Sequence, residues 1–138
     1  MRHMGIAIGL ALVIAGPAAA QDHRLDGVWE GAYDCAQGRT GLTLTLDATP
    51  NGAVTATFHF WPRQDTRIKA SGRFSMRGTI DPQGRLRLEP DRWIDRPPEY
   101  AMVGLTGTVY AGQNGEKDTM LGDVTGLASC TRWAAKRK

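Results

Sequence analysis

The sequence predicts an all-β chain: a small up-and-down antiparallel barrel of about eight strands, with a two-sheet β-sandwich as the fallback. Three observations carry that expectation. Apolar and polar residues alternate with period two along most of the chain from Gly27 onward. Turn-forming clusters separate the alternating runs. Two cysteines, Cys35 and Cys130, stand on the first and last of those runs, where one disulfide would close the fold.

The first element is not part of that domain. Met1-Arg2-His3 is a short positive leader, Met4 to Ala15 is apolar apart from its glycines, and Ala18-Ala19-Ala20 supplies the small residues of a cleavage site. We read residues 1–20 as a signal peptide cut after Ala20, because the apolar run is shorter than the ~20 residues that cross a bilayer. Cleavage of 20 from the 138 residues leaves 118, residues 21–138, the size of one domain. The expected location is periplasmic or secreted. An oxidising compartment with two cysteines allows one pairing, Cys35–Cys130. Loop closure of that length sets an upper figure of roughly 4–5 kcal/mol of stabilisation in the chain-entropy account, and real bridges often deliver less.

The strands follow in order, expected near 27–35, 41–48, 53–61, 67–79, 84–89, 101–111, 119–126 and 128–134. Gly27, Trp29, Tyr33 and Cys35 share one face of the first run, and Leu42, Leu44 and Leu46 share one face of the second. Val54, Ala56, Phe58 and Phe60 alternate with Thr55, Thr57, His59 and Trp61 in the third. In the fourth, Ile68, Ala70, Phe74 and Met76 alternate with polar residues. Pro50-Asn51-Gly52, Asp81-Pro82-Gln83-Gly84 and Gly112-Gln113-Asn114-Gly115 accept tight or left-handed turns. Short connections make sequence neighbours spatial neighbours, and closure into a barrel removes exposed edges. The bulky apolar residues Trp29, Phe58, Phe60, Phe74 and Met76 suggest a filled interior. Pro90 to Tyr100, with Pro97-Pro98, reads as an irregular segment crossing one barrel end.

Gly27-x-Trp29 on the opening strand and Arg132 on the closing strand resemble the calycin superfamily of lipocalins, avidins and exported protease inhibitors. That resemblance implies a barrel in which Arg132 packs over Trp29 as a structural closure pair. The wider pattern is similar to a group of small exported bacterial domains. It comprises Gly27-x-Trp29-x-Gly31-x-Tyr33-x-Cys35, Gln37-Gly38-x-Thr40-x-Leu42, Pro90-x-x-Trp93, Pro97-Pro98-x-Tyr100 and Met102-Val103-Gly104-Leu105. The resemblance implies no particular activity. Periplasmic lysozyme inhibitors also have a Tyr-x-Cys strand, but their serine- and lysine-rich loop has no counterpart here.

Function is less legible. After cleavage 16 basic residues face 14 acidic ones, and the three of Lys136-Arg137-Lys138 more than account for the excess, so charge does not point to nucleic acid. His23 and His59 have no second histidine at metal-ligand spacing, and no nucleophile elbow or P-loop is present. We therefore expect no metal, no cofactor and no catalysis; Asp91, Asp95 and Glu99 are the only candidate acids. Two features suit binding by a monomer. Arg67, Lys69, Arg73 and Arg77 share one parity and would form a basic stripe, suited to an acidic partner, to anionic envelope material, or simply to solvent. Trp93, Arg96 and Tyr100 lie on a proline-stiffened segment, with Trp61 on a neighbouring strand, as material for a hot spot or for a core lid. The leading expectation is an exported binding module for a protein, such as a protease or lysozyme, or for a small apolar ligand. An envelope structural or stress protein is the alternative, and an enzyme using the acidic segment comes third.

Overall fold

The computed structural model describes residues 25–64, 67 and 69–138. Residues 1–20, expected to be a signal peptide, lie outside the described residues, as do His23 and Ile68. Eight strands form one closed antiparallel barrel: β1 (Gly27–Cys35), β2 (Gly38–Ala48), β3 (Ala53–Trp61), β4 (Gly72–Ile80), β5 (Arg85–Asp95), β6 (Gly104–Tyr110), β7 (Thr119–Thr125) and β8 (Cys130–Arg137). Each strand pairs with its sequence neighbour, and β8 returns to β1. The sandwich alternative is thereby excluded.

Period two explains the wall. Inward rows are apolar, and outward positions such as Thr45, Thr55, Arg73, Arg77, Arg87 and Glu89 are polar. That is the reverse of a barrel whose outer face meets lipid. No helix among the described residues is long and apolar enough to cross a membrane.

The interior is filled by side chains, as expected for eight strands. Trp29, Phe58, Leu44, Leu88, Leu105 and Met120 have no exposed surface. Phe58 and Phe74 stack at 4.6 Å between centroids. Trp133 reaches across to β6, where its indole N–H donates to the Thr106 carbonyl at 2.9 Å. Gly107 makes that reach possible, since a Cβ there would lie 2.8 Å from the Trp133 ring.

Two expectations are corrected. Residues 90–95 are strand, not an irregular crossing, so Trp93 belongs to β5. Pro90 is tolerated because β5 pairs with β6 only through Leu88, leaving its second half an edge on that side. Register shifts against β4 between Arg73 and Phe74 and between Ser75 and Met76 absorb the irregularity. The irregular crossing is shorter, at 96–103.

The second correction concerns the closure pair. Arg137, not Arg132, lies over Trp29, with its guanidinium carbon 4.5 Å from the ring centroid. Trp29 and Arg137 are register partners on β1 and β8, whereas Arg132 is exposed and opposite Asp123 of β7. A register shift between Tyr33 and Cys35 changes the parity of β8. Its inward row is therefore Trp133, Ala135 and Arg137, and Arg132 faces out.

The Cys35–Cys130 disulfide joins the end of β1 to the start of β8. The bridge and the Arg137–Trp29 contact thus fasten opposite ends of one seam.

Candidate site at the open mouth of the barrel

Up-and-down topology sends alternate connections to opposite ends, and the two ends differ. At the end carrying Gly27 and Arg137, Leu25 is buried and its carbonyl accepts the Trp29 indole N–H at 2.9 Å. Arg137 covers that ring, donates to the Asp26 carbonyl, and meets Asp118 at 3.4 Å. The Ala48 amide donates to the Asp26 carboxylate at 2.6 Å, and the Lys138 amide donates to the Val28 carbonyl at 2.8 Å. This end is sealed.

The opposite end carries the β1–β2, β3–β4, β5–β6 and β7–β8 connections. Between them lies an open cleft of about 560 Å³. Every one of the four connections contributes: Gln37 from the first, Arg67 and Lys69 from the second, Pro98 to Ala101 from the third, and Leu127 from the fourth. Tyr33, Val103 and the disulfide form part of the floor.

The floor is apolar with a few polar groups. Tyr33 is only 5 % exposed. Burial pushes its phenol well above the usual tyrosine range, and the nearby Tyr100 adds to that rise, while the Thr40 hydroxyl opposes part of it. Thr40, the register partner of Tyr33, is itself fully buried. Its hydroxyl does not meet hydrogen-bond geometry with any described residue. Tyr100 stacks on Phe60 at 5.0 Å, so the cleft ends at the packed core and does not continue into the barrel. On the rim, Glu99 holds a left-handed backbone, φ 67°, uncommon for a residue with a side chain.

The candidate residues separate. Arg67, Lys69 and Tyr100 come together in the mouth. Trp93 packs edge-on against Phe74 and Phe60 at 5.4 and 6.2 Å, partly buried, with Arg96 at 5.8 Å over its ring. Neither lines the cleft. Trp61 lies on the outer wall over Gly41, where its indole N–H donates to Thr43 at 3.0 Å, a cross-strand ring covering a glycine.

The basic stripe is divided rather than continuous. β4 begins at Gly72, so Arg67 and Lys69 belong to the β3–β4 connection. Arg73 pairs with Asp95 at 2.6 Å and Arg77 with Asp91 at 3.1 Å, both on β5. At Asp91, loss of solvent raises the carboxyl pKa, but hydrogen bonds from Arg77 and Ser75 outweigh it and leave the value low. That suits an ionised partner and not a general acid.

Sequence reasoning missed Tyr33, Val103 and Leu127 as mouth residues. Four connections distant in sequence carry no shared local pattern. The signal that finds them is topological: in an up-and-down barrel every second connection falls at one end.

No protein-family profile, curated protein or solved structure matches the chain.

Proposed function

We propose that this chain is an exported, non-catalytic binding module that holds its partner or ligand at the open mouth of a calycin-like barrel. One observation carries the reading: one end is sealed by Leu25, Trp29 and Arg137, while four connections at the other end surround a cleft of about 560 Å³. That volume falls within the ~300–1,000 Å³ of small-ligand sites. Export is supported by the leader-like residues 1–20 and by a disulfide, which persists in oxidising compartments. The envelope-association alternative is weakened because Arg73 and Arg77 are matched to carboxylates. An acid–base enzyme is disfavoured for the same reason, with Asp91 and Asp95 engaged by arginines.

The test is thermal melting of the protein with fractionated envelope extract, against an Ala101→Trp variant that fills the mouth from an exposed position. At least one fraction should raise the melting temperature of the wild type and leave the variant unmoved. Equal shifts in both proteins, or no shift with any fraction, would remove the basis for mouth binding.

A further inference from the structure

The mouth has a charge asymmetry that its general shape does not require. Four arginines of β4 and β5, Arg73, Arg77, Arg85 and Arg87, are each matched to a carboxylate at 2.6–3.1 Å. Arg67 and Lys69, on the cleft, have no such partner among the described residues. Glu99 is the acidic residue lining the same cleft, and no ion pair joins it to either cation. Two positive groups and one negative group therefore face one partly enclosed volume, where charges are screened less than on an open surface.

Resting on the mouth reading, we propose that the site takes a compact organic anion. Its acidic group would lie at Arg67 and Lys69, and its apolar body would lie on Val103, Leu127 and the Tyr33–Tyr100 floor. Depth argues for compactness: Tyr100 stacked on Phe60, above the packed Phe58 and Phe74, blocks any long tail from entering the barrel. Chemistry argues for a polar atom beside the apolar body. The Tyr33 phenol is a donor on the cleft floor. An apolar ligand without charge would leave both rim cations unmatched and lose their contribution.

Two dyes with the same fused-ring body separate the possibilities: 1-anilinonaphthalene-8-sulfonate, an anion, and N-phenyl-1-naphthylamine, its uncharged parent. Fluorescence titration of the protein should give one saturable site for the sulfonate, at least about tenfold tighter than the neutral dye and weakened by salt. A double variant, Arg67→Ala with Lys69→Ala, should lose that preference with its melting temperature unchanged. Arg73→Ala with Arg77→Ala should keep it. Equal affinity for both dyes, or a preference that survives the first double variant, overturns the anion assignment while leaving mouth binding in place. Failure of both dyes also overturns it, including the case in which an acidic peptide binds instead. Mouth binding itself stands or falls on the Ala101→Trp comparison.

Discussion

Arg137 and Arg132 share a strand but face opposite sides of the barrel wall. Arg137 stacks on Trp29 and donates to the Asp26 carbonyl, at a position only a quarter exposed. Its truncation removes a cation–π contact and leaves the part-buried Asp26 carbonyl and Asp118 carboxylate without that donor, so Arg137→Ala should cost about 1–3 kcal/mol in denaturant unfolding. Arg132→Ala should stay within about 0.5 kcal/mol, as exposed positions do. A reversed order would mean the sealed end is not held by this contact. Tyr33 makes a second prediction, in pH. Its folded pKa is raised by burial above the ordinary tyrosine value of about 10, so the unfolded chain loses the proton first as pH rises. The stability this group confers is whole below about pH 10 and falls as pH climbs toward the folded value. Tyr33→Phe removes the titration. Relative to the wild type, its melting temperature should improve steadily above about pH 10, and parallel curves would show that Tyr33 is not held protonated.

Strands were legible where one physical signal was uncontested. β1 and β3 match the alternating runs at 27–35 and 53–61 because each keeps one apolar face with turn residues beyond it. β5 was not, because proline removes an amide donor and argues against a paired strand. What the sequence cannot display is which edge of β5 loses its partner. Pro90 lies past Leu88, the last residue paired to β6, so its missing donor leaves no ladder bond on that side unmade. The same logic works in reverse at Arg87, which pairs with Thr79 and Thr106 on both sides and exposes its side chain. Arg87→Pro should therefore destabilise by about 2–3 kcal/mol or more, while Arg87→Ala and Pro90→Ala change little. Equal tolerance of proline at both positions would contradict the pairing. Parity placed Arg73 and Arg77 together correctly, but their carboxylate partners sit across the strand boundary on β5, in a register the bulges set.

At the scale of the molecule, the barrel is a wall fastened differently at its two rims. Of the mouth, Arg67, Lys69, Glu99 and Tyr100 stood out as candidates in the sequence, for charge and aromaticity, but singly, because the cleft exists only once four separate connections meet. The β1–β8 seam shows the asymmetry most plainly. At the sealed end it is held by Arg137 on Trp29, by the Asp26 carbonyl and by the Lys138 amide on Val28. At the mouth it is held by the Cys35–Cys130 bridge, beside a register irregularity that interrupts the ladder. Loss of the bridge should then act locally as well as globally. A Cys35→Ser, Cys130→Ser protein should be less stable by about 2–4 kcal/mol. Its amide exchange should quicken first at Ala32 to Cys35 and at Cys130 to Trp133, with Trp29 and Ala135 protected until global unfolding. The mouth would loosen with that half of the seam, because both cysteines form its floor. Binding at the mouth should weaken in conditions where the sealed end is still native. Uniform loss of protection along β1 and β8, or fraying that starts at Trp29, would show that the two rims are coupled rather than independently fastened.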